Sequence, residues 1–214
     1  MDLRRFLDGR GGQLGFLTYQ HASLVIQCVV IGVVIALAIA ALVYRSRAGA
    51  AFATAGASVG MTVPSLALLA LLLIVFGLGV TPSVTMLAFY ATLPILTSAI
   101  VGLQAVPPAL VEAARGLGMP RWRVLATVEL PNAWPVILTG IRVSTQLVVG
   151  VATVVAYVLG PGLGSLIFSG LARLGGAGAL ESALVGTVLV VAVALVLDGL
   201  LVLLGRLTVS KGLR

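Results

Sequence analysis

Two long charge-free runs limit what this chain can fold into. No Asp, Glu, Lys or Arg occurs at positions 48–111 or at positions 143–172. A third uncharged run, positions 22–44, has 23 residues, and a helix of that length crosses a hydrocarbon core of ~30 Å at ~1.5 Å per residue. Inside a bilayer all backbone polar groups must be bonded within the chain, which a helix achieves. The sequence therefore predicts an all-α integral membrane protein.

Composition supports this class and argues against others. Of the 214 residues, 60% are hydrophobic and 9% are charged, unlike a soluble domain. The net charge of +7 is spread along the chain without base-stacking aromatic clusters, so nucleic acid is not an expected partner. The single cysteine, Cys28, provides no disulfide or metal framework. His21 has no second ligand nearby and is interpreted as an interfacial histidine, so we expect no catalytic residue and no metal.

A polar island separates the two apolar halves of the chain. It covers positions 111–141 and contains Glu112, Arg115, Arg121, Arg123 and Glu129. Such a segment between membrane spans must project into water. Its pattern predicts two short helices joined by a turn at Gly118, with the second helix, positions 122–130, ending at Pro131 because proline cannot continue it. Two short helices on a membrane domain favour a docking function.

The island resembles a known loop. Glu112-Ala113-Ala114, three residues, Gly118, nine residues and then Val128-Glu129-Leu130-Pro131 reproduce the spacing of the "EAA" loop in permease subunits of binding-protein-dependent ABC importers, with Val128 in place of Ile. In that family the loop is a cytoplasmic coupling helix that lies in a groove of the ATPase subunit. The resemblance implies that the residues of ATPase coupling are Glu112, Ala113, Ala114, Gly118, Leu130 and Pro131. The alternative is an ordinary amphipathic loop.

The chain in order predicts a five-span helical bundle of the type I ABC importer permease architecture. The spans are expected at about positions 22–44, 57–76, 84–106, 135–159 and 182–204. Pro64 and Pro94 are predicted to kink the second and third spans. Positions 1–21 form an extracytoplasmic segment with a short interfacial helix, positions 22–206 the permease domain with its coupling loop at about 107–134, and positions 207–214 a cytoplasmic tail.

Basic residues predict the orientation in the membrane. If the loop is cytoplasmic, five spans place the N-terminus outside and the C-terminus inside. Nine basic residues then lie inside, which are Arg45, Arg47, Arg115, Arg121, Arg123, Arg142, Arg206, Lys211 and Arg214. Four lie outside, which are Arg4, Arg5, Arg10 and Arg173. This excess agrees with the positive-inside rule for a multi-pass protein of the bacterial cytoplasmic membrane.

Several further segments are similar to osmoprotectant permeases, the transporters of glycine betaine, choline and carnitine. They are positions 63–72, 93–96, 102–103, 141–142 and 160–164. One departure is Met61-Thr62-Val63-Pro64, where that family has Gln-Thr-Ile-Pro. Quaternary ammonium groups are usually bound by aromatic cages, and aromatic residues are only 6% here, so the cage is expected on a separate binding protein. The alternatives are a permease for another small solute such as methionine, or a non-transporting membrane scaffold.

The resemblance also implies partners. These are two copies of an ABC ATPase that binds ATP and Mg, a second permease copy or a paralogue, an external solute-binding protein and the lipid bilayer. No cofactor is expected in this chain, because its only lysine, Lys211, does not belong to a phosphate-binding loop.

Two features of the last third of the chain lead to structural predictions. Positions 163–174 have leucines at roughly helical spacing, which predicts a short amphipathic helix at the outer surface. Arg142 and Asp198 lie at a similar predicted depth, roughly 10 Å inside two consecutive antiparallel spans. Intramembrane charges usually pair or line a watery cavity, so we predict an Arg142–Asp198 pair. The alternatives are an Arg142 that reaches the headgroups and an Asp198 bonded by Ser144 or Thr145.

Overall fold

The computed structural model describes residues 6–156 and 162–209. Within these two ranges the regular structure is helical, and no strand occurs in them. The helices are α1 (Gly11–Val43), α2 (Arg47–Thr62), α3 (Ser65–Phe76), α4 (Val80–Gln104), α5 (Pro108–Gly116), α6 (Arg121–Val124), α7 (Leu130–Val155), α8 (Gly164–Leu171) and α9 (Ala179–Thr208). A π-helical turn, Leu125–Glu129, joins α6 to α7 and is called the π-turn below.

Helix α1 is longer than the sequence predicted. It runs unbroken over 33 residues from Gly11, so the helix of the first span begins before the predicted position 22. A turn at positions 8–10 separates it from Phe6 and Leu7, which are also helical. Leu14 and Leu17, which precede position 22, pack against the hydrophobic core, and positions 11–21 carry no Asp, Glu, Lys or Arg. His21 is fully buried in α1 beside Gly162, and neither ring nitrogen has a hydrogen-bond partner within the described ranges.

The second predicted span is two helices rather than one kinked helix. Helices α2 and α3 meet at an angle of 95°. Val63 and Pro64 are both extended between them, because proline disfavours the α region for the preceding residue. The hydroxyl of Tyr90 in α4 donates a 2.5 Å hydrogen bond to the Val63 carbonyl, which the break leaves without a helical partner. Proline thus causes a sharp bend here, not the predicted kink.

Helix α4 lies at the centre of the bundle, between α1 and α7, and continues through Pro94. Small residues allow the neighbouring helices to approach it closely. A Cβ atom added to Gly140 of α7 would lie 2.5 Å from the Cβ of Ser98, a separation that real side chains do not reach. Such contacts are typical of membrane helices, whose association depends on close packing.

Three hydrogen bonds show which helix ends lie together. Gln104 at the end of α4 donates to the Tyr44 carbonyl at the end of α1, at 2.9 Å. Tyr44 also bonds Glu129, just before α7, and Trp134 near the start of α7 donates to Thr208 at the end of α9. We call this end of the bundle the loop end. Because α1 and α4 both finish there, the intervening pair α2–α3 must return the chain to the opposite end, which makes the pair the second of five crossings.

The final third of the fold is a helical hairpin built on α8 and α9. The predicted amphipathic helix is present as α8, and it packs along α9. The Ser182 hydroxyl donates a 2.9 Å hydrogen bond to the Leu166 carbonyl across this contact. The predicted break at positions 160–164 falls partly outside the described residues, since positions 157–161 are not among them.

Candidate coupling site

Helix α5 presents the Glu-Ala-Ala motif at the loop end of the bundle. It begins at Pro108, whose fixed φ suits the first helical position, and Pro107 before it is extended. Ala114 is buried against the molecule, whereas Glu112 and Ala113 are exposed on the other side. A glutamate beside a small residue on the exposed face allows close approach of a partner surface.

Gly118 ends this helix in a Schellman motif. Its φ of +77° lies in the left-handed region, its N–H donates to the Arg115 carbonyl at 2.9 Å, and the Met119 N–H donates to the Ala114 carbonyl at 3.3 Å. A Cβ atom at Gly118 would meet no atom within 4 Å. The requirement for glycine is therefore conformational and not steric, and the turn predicted at this position is present.

The surface around this turn combines charge with exposed apolar side chains. Leu117 is 83% exposed and Trp122 is 70% exposed. Arg115, Arg121 and Arg123 are exposed beside them. Tryptophan and arginine are the residue types that most often dominate binding energy at protein interfaces. This surface has the chemistry of a docking site for a folded partner.

The second loop helix does not end at Pro131, contrary to the sequence prediction. Helix α6, the π-turn and α7 form one continuous path into the membrane domain. In the π-turn the Leu130 N–H bonds the Leu125 carbonyl, five residues back. The wider turn relieves the clash that a proline ring makes with a regular helix, so Pro131 is tolerated at the start of α7. Leu130 and Pro131 thus lie at the junction of loop and span, separate from the exposed face of α5.

Glu129, which the sequence placed in a polar island facing water, is buried. Only 4% of its surface is exposed. The Tyr44 hydroxyl donates to its Oε2 at 2.5 Å, and the Arg45 Nη2 lies 3.0 Å from Oε2 and 3.3 Å from Oε1. The Arg45 guanidinium also lies over the Tyr44 ring, 5.1 Å from its centre. A buried carboxylate is stable only when paired and hydrogen-bonded, and this cluster provides both.

The sequence does not reveal the Tyr44–Arg45–Glu129 cluster, because its members are distant in the chain and are brought together by an irregular turn. Arg45 and Glu129 are 84 positions apart, so no local periodicity relates them. In a regular helix Val124 and Glu129 would lie roughly 140° apart, at about 100° per residue. The π-turn brings both to the buried face. The one local signal is Arg45 at the end of the first span, and the positive-inside rule uses it for orientation alone.

The predicted intramembrane charges are brought together. Arg142 Nε lies 2.9 Å from Asp198 Oδ1, and Arg142 Nη2 lies 2.9 Å from Asp198 Oδ2. The two side chains therefore form a bidentate salt bridge between α7 and α9. Gln146 adds a 3.3 Å hydrogen bond to Asp198. The alternative partners of Asp198 bond elsewhere, since the Ser144 hydroxyl donates to the Ala91 carbonyl and the Thr145 hydroxyl to the Ile141 carbonyl.

Metal-binding side chains are not clustered in the part of the chain that the structure describes. No three His, Cys, Asp or Glu residues of positions 6–156 and 162–209 are close enough together to hold an ion. The site is therefore characterised by a docking helix, a glycine turn and two charge pairs behind them. With four helices in the described part of the chain, or five counting the bent pair α2–α3 as one, long and apolar enough to cross a membrane, these features belong to a helical membrane protein with an exposed loop at one end.

Comparison with known proteins identifies the family. Residues 29–209 match the model of the family described as binding-protein-dependent transport system inner membrane component, and the chain belongs to this family. It is accordingly a permease subunit of a binding-protein-dependent ABC transport system, as the resemblance of the loop implied, and the predicted family is confirmed.

Several curated relatives carry more specific names. The chain is 34% identical over 209 residues to the glycine betaine/carnitine/choline transport system permease protein OpuCB of Bacillus subtilis, which covers 98% of this chain and 94% of the relative. It is 39% identical to the carnitine transport permease protein OpuCB of Listeria monocytogenes, over 78% of this chain and 76% of the relative. It is 34% identical to the osmoprotectant import permease protein OsmW of Salmonella typhimurium over 100% of both.

Solved structures share the fold. The methionine ABC transporter MetNI in an inward-facing conformation aligns with a TM-score of 0.71 at 22% identity, over 87% of this chain and 92% of that one. An amino acid ABC transporter aligns with a TM-score of 0.70 at 23% identity, over 96% of this chain and 98% of that one. At such identities the likeness concerns the fold, and it confirms the predicted type I importer permease architecture.

Proposed function

We propose that this chain forms the translocation pathway of an ATP-driven importer for a small osmoprotectant such as glycine betaine, choline or carnitine. The observation that carries the proposal is the 34% identity over 98% of this chain to a permease named for these three solutes. Two further relatives named for carnitine and osmoprotectant transport support the same solute class. The methionine alternative has support only from the fold.

ATP, with Mg, is bound and hydrolysed on separate ATPase subunits in this proposal. The exposed Glu112 and Ala113 on α5, with Trp122 nearby, form the surface that docks on the ATPase. The Glu-Ala-Ala motif also argues against a non-transporting scaffold, because such a loop has no use without an ATPase. By analogy with the family, two ATPase copies act with two permease chains, identical or paralogous, and an external binding protein delivers the solute.

The loop end faces the cytoplasm in this proposal, so that the N-terminus lies outside and the C-terminus inside. The distribution of charge supports this orientation. Of the described basic residues, Arg45, Arg47, Arg115, Arg121, Arg123 and Arg206 lie at or near the loop end, whereas Arg10 and Arg173 lie toward the opposite end. Basic residues near span ends favour the cytoplasmic side.

Reconstitution tests the proposed solute. The permease, its ATPase and its binding protein are placed in proteoliposomes, and uptake of labelled glycine betaine, choline, carnitine and methionine is measured with and without ATP. We expect ATP-dependent uptake of at least one trimethylammonium solute and none of methionine. Uptake of methionine alone would overturn the solute class, and no ATP-dependent uptake of any solute with an active ATPase present would overturn the transport proposal.

A further inference from the structure

The buried carboxylate of Glu129 connects three elements of the bundle at one point. Glu129 ends the π-turn that leads from the docking helices into α7. Tyr44 and Arg45, which bond it, follow the last turn of α1. Gln104 in the last turn of α4 donates to the Tyr44 carbonyl at 2.9 Å. The loop is therefore connected to α1 and α4 through hydrogen bonds and to α7 along the backbone.

The π-turn gives this point its geometry. A π-helical turn contains one more residue than an α-helical turn, and such turns are frequent at functional sites because they re-aim side chains. Here the extra residue turns Glu129 toward α1 while Thr127 and Ala126 stay exposed. The Asn132 side chain donates a 2.7 Å hydrogen bond to the Val128 carbonyl, which supports the widened turn. The π-turn therefore directs the carboxylate of Glu129 into the protein at the point where the loop joins α7.

We propose that Glu129, held by Tyr44 and Arg45, is a positioning residue for coupling, a latch that makes the docking loop and the end of α1 move as one body. The inference rests on the proposed function, because it assigns a role within an ATP-driven cycle. It concerns a position that the coupling motif itself leaves free, since the residue between Val128 and Leu130 is unspecified there. A loop attached through the backbone alone would move α7 without α1.

The first test measures coupling in proteoliposomes as solute molecules taken up per ATP hydrolysed. Glu129→Gln keeps the shape and removes the charge, and Tyr44→Phe removes only the hydroxyl, so the second variant remains informative if the first folds poorly. We expect each to lower the ratio by about 2- to 30-fold, the range found when residues that couple two sites are changed. A purely structural role would lower the amount of complex and leave the ratio unchanged.

Matched controls are available in the same chain. Arg45→Gln removes the guanidinium that pairs with Glu129, whereas Arg47→Gln removes an exposed arginine two positions away. Tyr19→Phe removes the hydroxyl of a tyrosine that is 69% exposed. We expect a lowered ratio for Arg45→Gln and the wild-type ratio for both controls. Equal ratios for Arg45→Gln and Arg47→Gln would overturn the latch.

A second measurement does not depend on the solute, so that failure of the latch and failure of the proposed function are distinguishable. Spin labels are placed at Arg47→Cys and at Ala109→Cys, an exposed position of α5 outside the docking surface, in a Cys28→Ala background, and their distance distribution is measured in nanodiscs with and without the ATPase and nucleotide. We expect one narrow distribution that is unchanged by nucleotide, and a broadened one when Glu129→Gln is added. Distributions that are the same with and without Glu129→Gln would overturn the latch, even if uptake of an osmoprotectant is observed.

Discussion

The turn at Gly118 offers a graded test of the docking loop. Its φ of +77° costs a residue with a Cβ atom roughly 1–2 kcal/mol, and asparagine tolerates this region better than most. Since a Cβ atom there meets nothing within 4 Å, steric conflict adds nothing to this cost. The series Gly118→Asn, Gly118→Ala and Gly118→Val should therefore weaken docking in that order.

The size of the effect follows from the conformational cost. If docking requires the closed turn, 1–2 kcal/mol raises the Kd for the ATPase subunit by up to about 5- to 30-fold. Gly118→Asp adds a negative charge at the C-terminal end of α5, where the helix dipole is unfavourable to it. We expect this variant to remain in the membrane and to lose coupling between ATP hydrolysis and uptake.

The assay is titration of the ATPase subunit against permease in nanodiscs, together with uptake and the amount of permease in the membrane. Gly116→Ala is the matched control, because Gly116 is the last residue of α5 and has open space for a Cβ atom. Alanine should favour the helix there by ~0.5–1 kcal/mol. If Gly118→Val binds and transports like wild type, or if Gly116→Ala is as harmful, the assigned role of the turn is wrong.

Three other predictions concern topology and packing. A cysteine at Gly9 should be labelled by an impermeant reagent added outside intact cells and one at Gly116 should not; labelling of Gly116 would reverse the proposed orientation. Gly140→Val should lower the amount of folded permease, by a destabilisation of about 1–3 kcal/mol, because the new side chain meets Ser98; normal thermal stability would contradict this packing. Asp198→Asn and Arg142→Gln should each lower folded yield and the exchange of the two charges should restore part of it, whereas no recovery on exchange would show that the pair contributes no stability.

The parts of the fold that were predicted from sequence depend on composition and spacing. Charge-free length located the long helices, and the Glu-Ala-Ala spacing located the docking helix and its glycine turn. The Arg142–Asp198 contact followed from depth alone, because helix rise fixes the height of each residue along consecutive antiparallel spans. Charge-free length, motif spacing and position along a helix can all be read from the order of residues without knowing which helices pack together.

The parts that were missed depend on tertiary contacts. The 95° bend at Pro64 is supported by a hydrogen bond to the Val63 carbonyl from the hydroxyl of Tyr90, 27 positions after Val63. The continuation through Pro131 depends on a π-turn, which has no reliable sequence signal. Glu129 is charged and lies in a polar segment, so a prediction from composition expects its side chain to be exposed to water. Its burial is possible because Tyr44 and Arg45, at the end of another helix, provide the hydrogen bonds and the positive charge that a buried carboxylate needs.

The two charge pairs together explain how a loop outside the bundle could move several helices. Both pairs involve the path through α7, since Glu129 immediately precedes this helix and Arg142 lies within it. Positions 129 and 142 are 13 residues apart, which is about 20 Å along a helix. At the first point the path is tied to α1, and through Tyr44 to α4; at the second it is tied to α9. In the proposed coupling cycle, a helix held at these two points would carry a displacement of its loop end to α1, α4 and α9, so that a small shift of the loop would rearrange the bundle.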